Sequence, residues 1–137
     1  MNRNQMMLVL LLIAGAIGYQ VAAGGCSSPP PVKNFSLRDY LGVWYETAKY
    51  QTVGGGIFEH GCKCTKINVT LDDSNNINAE QSCMKNGKNS TVDAQLIPDG
   101  IPGRFIEKIF VSRVGYWVIW LDETSAIEYD CSTNALG

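Results

Sequence analysis

Asn34-Phe-Ser-Leu-Arg-Asp-Tyr-Leu-Gly-Val-Trp-Tyr-Glu46 is the stretch of this 137-residue chain that decides its fold. Ser36 can cap a short helical turn over residues 37–40, because its hydroxyl can accept a hydrogen bond from the amides that follow it. Residues 42–51 then predict a first strand, bounded by the glycine-rich loop that begins at Val53. We therefore expect one helical turn that leads directly into a sheet.

The rest of the chain predicts six more short strands separated by turn residues. Residues 64–71 alternate most clearly, since Ile67 and Val69 share one face while Lys66 and Asn68 share the other. Successive strands of this kind form an antiparallel meander, so we expect an all-β fold of the up-and-down type. The further predicted strands are residues 77–84, 91–97, 104–112, 116–121 and 126–131.

Residues 1–23 predict a secretory leader, in which Arg3 precedes an apolar run that ends in small residues. The run is too short to span a bilayer, so we expect no stable membrane insertion. The remaining chain, about 114 residues, suits one domain with one core. Three glycosylation sequons agree with a secreted, extracellular protein: Asn34, Asn68 and Asn89.

Composition and motifs exclude several function classes. The chain has 11 Lys and Arg against 13 Asp and Glu, and no basic stripe that would predict nucleic-acid binding. It has one His, no Gly-x-Ser-x-Gly motif and no phosphate loop, so we expect no enzyme. His60, Cys62 and Cys64 lack the further ligand that zinc requires, so we expect neither metal nor cofactor.

The opening stretch resembles the first conserved region of the lipocalins, and most closely that of their apolipoprotein D-like members. The likeness covers nearly the whole chain after the leader, because Tyr116-Trp-Val-Ile-Trp-Leu-Asp122 resembles strand F and Ala126-Ile-Glu-Tyr-Asp-Cys131 resembles strand G. The resemblance implies that Gly42 lets the chain turn tightly into the first strand. It also implies that Trp44 points inward and closes the floor of a small barrel.

The same resemblance implies that the barrel is incomplete, with about seven of the usual eight strands. The eighth strand, its Arg that packs across the inward Trp, and the C-terminal helix are missing by Gly137. We therefore expect a Pro-rich lead-in and helical turn over residues 24–41 and a C-terminally truncated barrel over residues 42–137. Two open edges make self-association possible.

For function, the resemblance implies a secreted carrier of a small hydrophobic molecule of the lipid, retinoid, sterol or tetrapyrrole class. Trp117 occupies the position where relatives place a pocket Trp, and residues sharing a parity with Trp44 or Trp117 would line the cavity. In residues 104–112 the pattern leaves the inward parity open between Phe105 and Ile106. The predicted lining residues are Trp44, Glu46, Ala48, Tyr50, Ile67, Val69, Val92, Ala94, Leu96, Trp117 and Ile119.

Two alternatives use the same scaffold. The barrel can present its loops to a protein partner, so that it acts as an interaction or surface module. A few lipocalins are enzymes, including a prostaglandin isomerase that uses a barrel cysteine, and Cys64 or Cys83 could take that part only beside an activating neighbour.

Five cysteines in a secreted chain leave one over. The resemblance implies a bridge from Cys26 to Cys131, which would pin the lead-in to the last strand. For the others two pairings stay open. In the first, Cys64 pairs with Cys83 and Cys62 is free. In the second, Cys62 pairs with Cys83.

Overall fold

The computed structural model describes residues 25–52, 56 and 58–133. The predicted leader at residues 1–23 lies outside the described residues. Among the residues described, no helix is long and apolar enough to cross a membrane. The elements are one helical turn, α1 (Leu37–Tyr40), and the strands β1 (Gly42–Tyr45), β2 (Lys63–Leu71), β3 (Ile77–Lys85), β4 (Lys88–Pro98), β5 (Arg104–Ile109), β6 (Ser112–Leu121) and β7 (Ala126–Cys131).

The seven strands form a single antiparallel sheet in which every strand pairs with its neighbour in the chain. The sheet curls into a half-barrel, and the predicted all-β, seven-strand, up-and-down fold is confirmed. Consecutive pairing of this kind needs only short turns between strands.

One face of the sheet carries the hydrophobic core and is called the inner face below. Its least exposed side chains are Val69, Leu96 and Val118, and Tyr40 of α1 packs against them, each at most 1% exposed. Because side chains alternate across a strand, residues two apart share this face. The core cluster is completed by Ile77, Ala79, Ala94, Phe105 and Tyr116.

Strand β1 is shorter than the predicted span of residues 42–51 and ends at Tyr45. The Glu46 amide still donates to the Thr65 carbonyl oxygen at 3.0 Å. There β2 is irregular, because Cys64 has a φ of 54° and the register with β3 shifts between Lys63 and Lys66. A bulge of this kind bends a strand and disrupts its ladder, which ends the pairing with β1.

Turn geometry sets the other differences in strand bounds. Asn86 and Gly87 have φ values of 51° and 74°, as a two-residue hairpin of type I′ requires, so pairing begins at Lys88 rather than at residue 91. Phe110 has a φ of 51° and ends β5, so β6 begins at Ser112. The predicted single strand over residues 104–112 therefore includes a turn.

Two disulfides join the described cysteines. Cys26 is bonded to Cys131 with Cα atoms 5.6 Å apart, as the resemblance implied, and it fixes the lead-in to β7. Cys62 is bonded to Cys83 with Cα atoms 5.4 Å apart. The expectation that Cys64 pairs with Cys83 is wrong. Cys64 is free and exposed because it lies in the β2 bulge, while Cys62, just before the strand, reaches Cys83.

Candidate functional site

The floor of the half-barrel is aromatic. Trp44 stacks on Tyr40 with ring centroids 6.0 Å apart, and its indole Nε1–H donates to the Tyr40 carbonyl oxygen at 2.9 Å. Phe35 closes the other side of Tyr40 and meets the Phe105 ring edge-on at 5.7 Å. Pairs in these arrangements add about 0.5–1.5 kcal/mol beyond their burial, so ring packing stabilises the floor.

Above the floor, the wall formed by β2, β3 and β4 is apolar. The register pairs Val69 with Ala79, Ala79 with Ala94, and Ile77 with Leu96, all on the inner face. These small and branched side chains belong to the core cluster and are each at most 8% exposed, so the wall is apolar and closely packed.

The opposite wall, formed by β5, β6 and β7, carries a buried hydrogen-bonded group. The Tyr40 hydroxyl donates to Glu128 Oε1 and is also bonded to the Tyr116 hydroxyl. Since Tyr40 has one proton to give, Tyr116 is the donor of the second bond. Burial raises the pKa of Tyr40 and of Tyr116 far above the ordinary tyrosine value, so both remain neutral donors.

Carboxyl groups surround this trio. Glu107 is the inner-face partner of Val114, and its pKa is raised to about 7 by burial and by the charges of Asp130, Glu59 and Glu128. Burial also raises the pKa of Glu128, although hydrogen bonds from the tyrosines oppose the shift. Burial raises the pKa of Asp130 as well. Four carboxyl groups therefore lie within electrostatic reach of one another.

Lys49 is the ammonium group of this region. Its Nζ lies 3.3 Å from Glu59 Oε2 and 3.4 Å from Glu46 Oε1. Burial lowers the pKa of Lys49, but the two carboxylates outweigh burial and the net shift is upward. Glu59 also accepts from Gln81 Nε2 at 3.1 Å, which ties the β1–β2 loop to the inner face of β3.

Thr65 is buried on the same side of the sheet without a partner for its hydroxyl. It is 2% exposed, and its Oγ1 has no hydrogen bond. Thr65 lies two residues from Ile67, whose partner across the strands is Gln81. Thr65 therefore shares the inward side of β2 with Ile67, and its hydroxyl is enclosed without a partner.

Some of the predicted lining residues lie together on the inner face, and others do not. Trp44, Ile67, Val69, Ala94 and Leu96 belong to the core or pack against it. Val92 shares the face of Ala94 by alternation, and Glu46 is half-buried beside Lys49. Two members are corrected: Ala48 is exposed and Tyr50 is 95% exposed, because β1 ends before them and the chain leaves the sheet.

The expectation that Trp117 faces the cavity is wrong. Its partners across the strands are Arg104 and Tyr129, and the Arg104 Cζ lies 5.9 Å from the indole centroid on the outer face. The lead-in crosses this face, where the Ser27 amide donates to the Tyr129 hydroxyl at 3.2 Å. Ile119 is also corrected, since it lies in the β6 bulge outside the core cluster.

That bulge explains the error in parity. Tyr116 and Val118 are in the core, so strict alternation along β6 would place Trp120 in the core as well. The register instead shifts between Val118 and Trp120, so the residues before and after the shift face inward with opposite parity. Trp120 is 53% exposed, and Leu121 packs against the core. Phe105 faces inward beside Tyr116, which settles the open parity of β5.

The sequence prediction missed the polar half of the inner face. Glu128 and Asp130 alternate on β7, a pattern that usually marks a solvent face. Glu107 shares the parity of Phe105, which the sequence left open. Glu128 and Asp130 occupy alternate positions on either side of Tyr129. Once Tyr129 is known to face outward, alternation places both acids on the inner face, and this is the one sequence pattern that could have identified them.

A separate cleft of about 410 Å³ lies between the lead-in and the β6–β7 turn. Lys33, Asn34 and Asp39 line one side of it, and Asp122 lines the other. Among the residues described, no three His, Cys, Asp or Glu side chains are placed to bind a metal ion.

The other two sequons lie away from the inner face. Asn68 is half-buried between Val43 and Glu80 on the outer side of the sheet, and Asn89 is exposed next to the β3–β4 turn. Glycosylation of all three sites stays a prediction.

Comparison with known proteins identifies relatives over nearly the whole chain. Apolipoprotein D of Bos taurus is 30% identical over 141 residues, covering 93% of this chain and 72% of that protein. Apolipoprotein D of Macaca fascicularis is 32% identical over 137 residues, covering 91% and 70%. Bilin-binding protein of Pieris brassicae is 41% identical over 46 residues, covering 34% and 24%.

Among solved structures, the cockroach allergen Per a 4 has a TM-score of 0.58 and 20% identity, covering 79% of this chain and 66% of the allergen chain. That likeness concerns the fold. No protein-family model matches the chain. Because relatives at 30% identity or more align over two thirds of their own length, this chain belongs to the lipocalin family, among its apolipoprotein D-like members.

Proposed function

We propose that this protein is a secreted carrier that holds a small, mainly apolar molecule in the hollow of its curved sheet. The observation that carries the proposal is the inward Trp44 on an aromatic floor, below the apolar wall of Val69, Ala94 and Leu96. Small-molecule sites combine apolar walls with a few placed polar groups, as this inner face does. The name of the bilin-binding relative indicates that one lipocalin of this kind binds a tetrapyrrole.

Secretion is supported by the two disulfides, which persist in oxidising compartments. Binding rather than catalysis is supported by the position of the free thiol. Cys64 is exposed at the β2 bulge, whereas a barrel cysteine that acts as a nucleophile must face the cavity. The ligand class stays open among lipids, retinoids, sterols and tetrapyrroles.

Tryptophan fluorescence tests the proposal, because the three tryptophans occupy different environments. Trp44 is on the inner face, while Trp117 and Trp120 are on the outer face. Titration with retinol or a fluorescent fatty acid should quench emission with saturation near one ligand per chain. The Trp44→Phe variant should lose most of the quenching.

The matched control is Trp117→Phe, which removes an equally large ring from the outer face. It should retain the affinity and most of the quenching. Absence of saturable binding, or quenching that disappears in Trp117→Phe and persists in Trp44→Phe, contradicts the proposal. The first outcome would favour the alternative in which loops on this scaffold bind a protein partner.

A further inference from the structure

The two ends of the curved sheet carry opposite charge. The mouth is the end opposite α1, where the β1–β2, β3–β4 and β5–β6 connections lie. There, residues 85–88 and 108–113 contain basic residues and no acidic one, while residues 46–63 carry two acidic and two basic residues and so no net charge. The three turns at the floor end carry acidic residues and no basic one: Asp72, Asp73, Asp99, Asp122 and Glu123. A chain of net charge -2 therefore has a basic mouth.

The basic residues at the mouth face one another without counter-ions. The register places Lys85 directly opposite Lys88, and Lys108 directly opposite Arg113. Like charges in directly opposite positions of an antiparallel pair are destabilising. Among the residues described, none of the four forms an ion pair. Glu107 does not serve Lys108, because neighbouring residues of a strand point to opposite faces, so an anionic surface at the mouth would relieve both repulsions.

The β5–β6 turn presents an exposed apolar tip, formed by Phe110 and Val111. Phe110 is 72% exposed and Val111 is 90% exposed, and the exposed Phe58 of the β1–β2 connection lies beside Phe110 with ring centroids 6.0 Å apart. Phe110 has a φ of 51°, which in a two-residue hairpin suits glycine or asparagine. The β3–β4 hairpin has that chemistry in Asn86-Gly87. Core packing therefore does not account for the bulky tip, and we expect it to have an external partner.

An apolar tip bordered by basic side chains is the combination that binds an anionic membrane surface. Binding at such a surface grows with the apolar area placed among the head groups and with the attraction of Lys and Arg to acidic lipid. We propose that the mouth docks reversibly on membranes that contain anionic phospholipid. Phe110 and Val111 then lie among the head groups, and Lys108 and Arg113 lie against the lipid phosphates. The hollow opens toward the membrane in this orientation.

Sedimentation of the full chain with lipid vesicles tests the docking without any bound ligand. Partition into phosphatidylcholine vesicles with about 30% phosphatidylserine should exceed partition into phosphatidylcholine alone by about 100-fold or more, since each basic residue at an anionic surface contributes about 5-fold. Raising the salt concentration to about 0.5 M should remove most of this difference, because salt screens exposed charges.

A pair of charge variants tests the basic side chains. Lys108→Gln combined with Arg113→Gln should reduce partition into the anionic vesicles by about 25-fold. The matched control is Lys33→Gln, which removes an exposed ammonium group beside the β6–β7 turn at the floor end. This control should bind within about 2-fold of the wild type, because its charge is more than a Debye length from the docked surface.

A second pair of variants tests the apolar tip. Phe110→Asn combined with Val111→Gly gives the β5–β6 turn the sequence of the β3–β4 turn, so the hairpin should still form. Partition should fall by about 10-fold or more, because both apolar side chains are lost from the head-group region. The matched control is Ile101→Asn, which removes an exposed apolar side chain from the β4–β5 turn at the floor end and should retain binding.

Equal partition into the two kinds of vesicle overturns the docking on anionic lipid, and absence of partition into both does the same. A tip variant that binds as the wild type does shows an attraction of charge alone, as any soluble polyanion would exert, and overturns membrane docking. Loss of binding in either control places the contact outside the mouth. Sedimentation without vesicles shows that the basic mouth of one copy meets the acidic floor end of another, which also overturns the inference. All four outcomes leave the carrier function standing.

Discussion

Replacing Glu107 by Gln should stabilise the protein at alkaline pH. The pKa of Glu107 is about 7 in the folded chain against an ordinary value of 4.5. Between pH 4.5 and about 7, the Glu107 carboxyl therefore binds more protons in the folded state than in the unfolded state. Stability therefore falls as the pH rises from about 4.5 through 7, by about 3 kcal/mol from this group alone.

The variant lacks that loss, and it also removes one negative charge from the neighbourhood of Glu128 and Asp130. At pH 8.5 we expect its free energy of unfolding to exceed that of the wild type by about 2–3 kcal/mol. At pH 4 the wild-type carboxyl is protonated and closely resembles the amide. There we expect a difference within about 0.5 kcal/mol.

Urea unfolding with intact disulfides, followed by tryptophan fluorescence at pH 4 and 8.5, measures both differences. Glu80→Gln on the outer face is the matched control and should change stability by less than about 0.5 kcal/mol at either pH. A Glu107→Gln variant that is no more stable than the wild type at pH 8.5 refutes the reasoning. An equal gain at both pH values would also refute it, since the effect would then not arise from ionisation.

Three further predictions concern packing, hydrogen bonds and thiols. Tyr40→Phe should lower the free energy of unfolding by about 1–3 kcal/mol, since it removes the hydrogen bonds that the Tyr40 hydroxyl makes with Glu128 and Tyr116. Tyr45→Phe, at a 71% exposed position, should have almost no effect in the same urea experiment. Leu96→Ala should lower the free energy of unfolding by about 2–5 kcal/mol, because it opens a cavity in the core. Leu71→Ala, at a 41% exposed position, should lower it by less than about 1 kcal/mol. An equal loss of stability in the two variants would place Leu96 outside the core. Alkylation of the unreduced native protein followed by peptide mapping should label Cys64 alone among the described cysteines, and label on any other of them would contradict the pairing.

Much of the fold could be predicted from the sequence because local signals agree with one another. Alternation over residues 64–71, the Asn86-Gly87 turn and the spacing of the strands all favour one antiparallel meander. The bridge from Cys26 to Cys131 followed from the family resemblance.

The inner face was harder to predict because single-residue irregularities decide which side chains point inward. The bulge at Cys64 ends β1 early and exposes Tyr50, and the bulge after Val118 carries Leu121 onto the core. A bulge has no strong composition signal, and each one reverses the parity of the residues beyond it. The choice between Cys62 and Cys64 depends on the same irregularity.

The polar half of the inner face was missed for a different reason. Acidic side chains at alternate positions of a strand predict a solvent face, and only the placement of β7 against Tyr40 shows that Glu128 is half-buried. Pairing across 88 residues of sequence is not a local signal. Burial of charge in this place is the kind of local inconsistency expected at a functional site.

The indole signals of the three tryptophans, recorded by ¹H–¹⁵N NMR during titration with dodecanol, test the central claim most directly. The claim is that a small apolar molecule is held in the hollow above Trp44. The Trp44 indole signal should shift and saturate near one equivalent, because this ring forms the floor of the hollow. The Trp117 and Trp120 signals should remain in place. Shifts confined to Trp120, or changes that never saturate, would place the ligand on the outer surface and contradict the account.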